Sequence, residues 1–404
     1  MEELIQSLTL VGKKELVNNI KVLLFKEDEN IFDLIDFEND NIYQDPLFYA
    51  YFNSPNRAFI DLQTLIYGYI KEDLRPKRLK ISSDSSGRFY ISNIGWFITE
   101  HPSVIITLER DSRNDFNLFL GNKKIDFIFE TIEFIDGTNI ELLKYPISLL
   151  NQCYYDIHGR LITVEIEEIT RLKKVHLTNA FKTIKELMPL QFEIIDQTVK
   201  KAVIFNVDTT LRNSFATMKA LGTIFLNSYQ DDYKEIFFID DIVHQSGHCI
   251  FYNVLWDTKL FFKVDPATPL STFLIDDVIE TRDLNILFHA LYTYHVTLLS
   301  LFKCLNENLF KRLDKHELIG RIHFYLRKFF NDILLIDKTV ESNERAMNIF
   351  TKQGLEIYLE MKKSLLGLLD MERDTFKDYD FSNQPYNFTF SKFLELNPLN
   401  EITN

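Results

Sequence analysis

Two histidines four residues apart, His244 and His248, interrupt the otherwise apolar stretch 237–255. On a helix this spacing stacks the two imidazoles one turn apart on one face. Rings so placed can share one divalent ion, as in the His-Glu-x-x-His helix of zinc peptidases. In that motif the Glu after the first His is the general base. Gln245 stands there instead, and an amide cannot take a proton from metal-bound water. The chemistry on offer is metal binding without the group that hydrolysis needs. Asp240 and Asp241 precede His244 on the same face. There they would orient the imidazoles as hydrogen-bond acceptors or cap the helix start. A pair of satisfied core histidines is the plainer alternative.

The flanking elements must position this pair. Residues 202–207 and 221–227 are strand-like, and the second leads through a polar turn into the histidine helix. After Pro266 and Pro269, a second long apolar helix carries Arg282, His289 and Tyr292. His289 and Tyr292 share a face at i, i+3, with Arg282 two turns before His289.

Upstream, residues 1–25 have the spacing of an amphipathic helix, 26–41 form an acidic exposed segment, and 59–72 look helical. Short β-rich runs fill 86–170, including 161–166, with turns at Gly121-Asn122 and Asp136-Gly137. Helical spacing returns over 178–200, and downstream over 283–311, 314–335 and 340–373. The expected class is α+β, with a predominantly helical C-terminal half carrying the metal site and a smaller β-rich region in the N-terminal half. The expected division is a mixed region 1–170, suited to peptide recognition, a mainly helical metal-binding domain 171–375, and an irregular tail 376–404.

Composition narrows the functions. With 404 residues and 46% hydrophobic content, a large core is available. The 12 Gly, and the lack of GxGxxG or GxxxxGK[ST], give no phosphate-binding loop. A net charge of −14 argues against nucleic-acid binding. Cys153, Cys249 and Cys304 are far apart and odd in number, which suits a reducing compartment. The first residues lack a basic signal region, so a cytoplasmic location is expected. Residues 285–302 lack Asp, Glu, Lys and Arg but contain His289, Tyr292, Tyr294 and His295. They read as a buried core helix rather than a membrane span.

The order of strand, His-x-x-x-His, and then Arg-x-Leu-x-x-Leu-x-His-x-x-Tyr resembles the 2-oxoglutarate-dependent peptide β-hydroxylases of the HExxH type, which accompany ribosomally made, post-translationally modified peptides. The matching positions are His244, His248, Arg282, Leu284, Leu287, His289 and Tyr292, within residues 221–302, and Gln245 replaces the family's Glu. The resemblance implies Fe(II), 2-oxoglutarate and O2 as cofactor and co-substrates, and a ribosomally synthesised precursor peptide as partner. It implies His244 and His248 as iron ligands. His289 is the expected third ligand, with Asp240, Asp241, Asp276, Asp277 or Glu280 as carboxylate alternatives. Arg282 would grip the 2-oxoglutarate carboxylate, with a helix-start salt bridge as its plainer role, and Tyr292 would assist or simply pack. Competing readings are a catalytically inactive peptide-binding scaffold and a zinc metallopeptidase-like protein lacking the catalytic Glu. A di-iron oxidase needs repeated Glu-x-x-His pairs, and only Asp241-x-x-His244 occurs.

Overall fold

The computed structural model describes residues 1–111, 115–156, 158–273, 280–341, 346–371 and 379–399. Helix α1 (Glu2–Glu27) buries Ile5, Thr9, Gly12, Val17, Ile20 and Leu24 along one stripe. Short helices α2 (Ile31–Leu34), α3 (Pro46–Phe52) and α4 (Leu62–Ile66) follow. Asp45 caps α3 by accepting the Leu47 N–H at 3.0 Å, with Pro46 in the first helical position.

The β region comprises β1 (Arg78–Ser82), β2 (Arg88–Ile91), β3 (Gly95–Ile98), β4 (Ile105–Arg110), β5 (Phe116–Leu120), β6 (Lys123–Ile125), β7 (Ile128–Thr131) and β8 (Glu141–Leu142). Two antiparallel sheets form, ordered β1-β4-β5-β6 and β2-β3-β7. Alternate residues of β1 point inward, so Leu79 and Ile81 join Phe89, Phe97, Leu108 and Leu118 in a small core. Gly121, at φ +60°, makes the turn between β5 and β6.

The remaining elements are α5 (Glu167–Leu187), α6 (Pro189–Thr198), β9 (Lys201–Phe205), β10 (Phe215–Ala216), β11 (Thr223–Asn227), α7 (Glu235–Val254), α8 (Leu284–Asn306), α9 (Arg312–Glu341), α10 (Ala346–Ile349), α11 (Lys352–Met371) and α12 (Phe390–Leu396). A third sheet is ordered β10-β11-β9-β8, with β9 parallel to both β11 and β8. Every residue of β9 and β11 is buried, as expected of parallel strands covered on both faces. The class is α+β.

Three local expectations differ. Helix α5 begins at Glu167, and Pro189 starts α6 as a separate helix. Residues 161–166 form only the isolated bridges Tyr155↔Leu161 and Glu165↔Asn206; Leu161 is 70% exposed, so burial does not hold the segment in a sheet. The tail folds back, because Phe388, Phe390 and Phe393 pack against Phe324 of α9. The 170 boundary runs through shared structure. Strand β8 pairs with β9, and Phe48 and Ile147 share a core with Val203 and Phe225.

Candidate functional site

Helix α7 is the centre of the molecule, packed between β11, α1, α5 and α8. From Ile236 to Phe251 every residue is buried except His244 and His248. These two open into a polar cavity of about 210 Å3, which Ser214, Asn227, Asp240, Asp241, Gln245, Tyr252, Tyr294, Arg321, Tyr325, Lys328 and Tyr386 help to line. The ring centres of His244 and His248 are 5.2 Å apart. Burial pushes His244 well below the ordinary imidazole range and His248 down to about 4. Both are neutral at pH 7, the form that ligates metals.

Gly247 sets how closely α8 approaches. A Cβ there would stand 3.2 Å from a Thr293 methyl and 3.3 Å from a Val296 methyl. The close crossing brings His289 to 5.8 Å from His248, centre to centre. His289 sits edge-on to Phe251 at 5.1 Å and beside Tyr252 at 4.6 Å, and is not among the residues lining the cavity. Its pKa too is pushed far down by burial. The Nδ1 atoms of His244 and His289 are buried without a hydrogen-bond partner.

The other predicted residues are placed elsewhere. Arg282 bonds Glu280 through Nε and Nη2 at 3.0 and 2.9 Å, and Asp332 through Nη1 and Nη2 at 3.0 and 2.9 Å. Its fork is filled, in the salt-bridge role. Tyr292 stacks on Phe251 at 4.6 Å and lines a different cavity. The Asp240 carboxylate accepts from Arg321 Nη1 at 2.7 Å, and Asp241 accepts from Gln245 Nε2 at 3.0 Å. Both aspartates thus turn to neighbours other than the imidazoles. Burial raises both carboxyls, Asp241 to about 7. Asp276 and Asp277 lie outside the described residues.

Sequence reasoning missed the contribution of α9. Glu317, Arg321, Tyr325, Lys328 and Asp332 recur every three or four residues. Buried charge is costly unless paired, so charged residues that recur at the helical period beside apolar ones are a readable signal. Arg321 Nε donates to Glu317 at 2.8 Å while its Nη1 holds Asp240. Lys328 donates to the Tyr386 carbonyl at 2.7 Å, and burial lowers its pKa to about 8.

Two imidazoles sharing an ion at about 2.1 Å have ring centres roughly 4.5–5.5 Å apart. The His244–His248 pair fits one ion, while His289 stands just beyond this range from His248. Among the described residues no group of three or more His, Cys, Asp or Glu is gathered to hold a metal.

No protein-family model matches the chain, and no curated protein matches it. Among the described residues no helix is long and apolar enough to cross a membrane.

Proposed function

We propose that the chain is an Fe(II)/2-oxoglutarate-dependent oxygenase that hydroxylates the β-carbon of a residue in a ribosomally made peptide. One observation carries the reading: His244 and His248, neutral and one turn apart, are the only positions between Ile236 and Phe251 that escape burial, and both face a polar cavity. These two would hold the ion, and His289 is the nearest further imidazole in contact with the pair. Bound iron, with 2-oxoglutarate and O2, supplies the oxidation. The chain's part is to hold and orient. Arg282 is taken up by Glu280 and Asp332, so the cavity cation that would meet the co-substrate carboxylate is Lys328. Gln245, donating to Asp241, supplies no base for hydrolysis.

A groove of about 990 Å3 supports the peptide half of the reading. It runs beside β1, an edge strand whose outer side pairs with no other strand among the described residues. Arg110 N–H donates to the Lys77 carbonyl and Ser83 N–H to that of Val104, which turns the backbone groups of Arg78, Lys80 and Ser82 toward the free edge. An extended peptide can add there as a further strand. Tyr155, on the groove, lies 4.3 Å under Arg212, whose guanidinium is 4.0 Å from the ring of Phe215, a wall of the histidine cavity.

The test is succinate release from 2-oxoglutarate by Fe(II)-reconstituted protein. The parent should release it, and His244→Ala and His248→Ala should not. The ungathered third donor and the filled Arg282 fork favour a second reading, a peptide-binding scaffold. In that case the parent retains no iron and releases no succinate.

A further inference from the structure

Arg212 stands in the wall between the groove and the histidine cavity. Its guanidinium lies 4.3 Å from the ring centre of Tyr155, which lines the groove, and 4.0 Å from that of Phe215, which lines the cavity. The backbone beneath it is pinned. The Arg212 N–H donates to the Asp208 carbonyl at 3.2 Å, and the buried Asn227 of β11 donates to the carbonyls of Arg212 and Val207 at 2.8 and 2.9 Å. The same loop gives Thr209, Asn213 and Ser214 to the cavity. Lys219 approaches the Tyr155 ring as well, at 5.2 Å. The Nε of Arg212 is buried without a partner, whereas its two Nη atoms, also without one, are open to solvent. Neither Arg212 nor Lys219 has a carboxylate at salt-bridge distance among the described residues.

The chain has 59 acidic residues against 45 basic ones, so two cations gathered on one ring without an acid are the exception that an incoming anion explains. Stacking between rings fixes a guanidinium without using its N–H groups. The two Nη atoms then present a planar fork that only donates and that matches the two oxygens of a carboxylate. One fork carries both donors at a set spacing, and Lys219 adds attraction at longer range. The acids on the groove, Asp61 and Asp84, instead accept backbone N–H groups of Gln63 and of Ser86 and Arg88. We infer that Arg212 binds a carboxylate, and that the peptide in the groove carries one, on an Asp or Glu side chain or at its C-terminus, where it passes from the groove to the histidine cavity. The inference rests on the peptide half of the proposed function.

The test is modification of the full chain by phenylglyoxal, with the arginine adducts located by mass spectrometry. Three probes are compared at one millimolar concentration: hippurate, with a terminal carboxylate; Nα-acetylglutamic acid α-amide, with a side-chain carboxylate; and the neutral Nα-acetylglutamine amide. Arg212 should react without a probe, and one or both carboxylates should slow it at least fivefold while the neutral amide does not. The carboxylate that protects more names its source in the peptide. Arg171, exposed and paired with Glu168, should react at one rate throughout. No reaction at Arg212, no protection by either carboxylate, or equal slowing by the neutral amide or at Arg171 would overturn the inference. No iron or 2-oxoglutarate enters the measurement, so its failure is distinct from a failure to release succinate.

Discussion

Gln245 donates its side-chain amide to the Asp241 carboxylate, one turn back on α7, at 3.0 Å. The residue in the position of a zinc-peptidase base is therefore a donor, committed to a buried acid. Gln245→Glu would set two carboxyl groups against each other where burial already pushes Asp241 up to about 7. The variant should lose about 1–3 kcal/mol of stability at pH 8 and gain no peptidase activity with zinc. Urea denaturation and a casein digest check the two halves; restored proteolysis would mark a lapsed hydrolase.

Arg321 joins Glu317 and Asp240 with all three side chains buried. Arg321→Met leaves two buried carboxylates without their cation, and such losses run to about 3–5 kcal/mol. Adding Asp240→Asn and Glu317→Gln should recover part of it. Denaturation midpoints of the single and triple variants decide the matter, and a single variant as stable as the parent would refute the pairing.

Gly12 is in the middle of α1, where Ala would ordinarily add about 1 kcal/mol. Here a Cβ would meet the Asn253 carbonyl oxygen at 1.7 Å. Gly12→Ala should instead cost about 1–3 kcal/mol, as overpacking does, by forcing α1 off α7. Thermal unfolding reads the sign.

The histidine pair, the strand before it and the helices around it were legible because their signals are local: an i, i+4 spacing, a β-branched and aromatic run, an apolar period. For Arg282 and Tyr292 the sequence offered two roles each, carboxylate contact or a salt bridge for Arg282 and ligand contact or packing for Tyr292, and could not choose between them. Arg282 meets Asp332, 50 residues away, and nothing near Arg282 announces that partner. Tyr292 shares a helix face with His289 by spacing, yet stacks on Phe251 and borders a separate cavity between α1, α6 and α8. Which edge of that face meets α7 depends on the approach at Gly247, a tertiary fact. The tail read as irregular because its aromatic residues have no period of their own, and α9 supplies their order.

Burial holds His295 down to about 3, against about 6.5 in the unfolded chain. Below pH 6.5 the unfolded state takes up a proton that the folded state refuses, so stability falls as pH drops from 6.5 toward 3. At about 1.4 kcal/mol per pH unit, this one group removes about 3 kcal/mol by pH 4. The slope of denaturation free energy against pH should be shallower in His295→Leu than in the parent over that window. Equal slopes would contradict the burial of a neutral ring.

If His244 and His248 hold iron, 2-oxoglutarate should chelate it. Fe(II) is titrated anaerobically into metal-free protein, 2-oxoglutarate is added, and the visible charge-transfer band of the chelate is recorded. The parent should show the band, and His244→Ala should lose it. Tight zinc binding without the band, or no metal retained, would contradict the oxygenase reading.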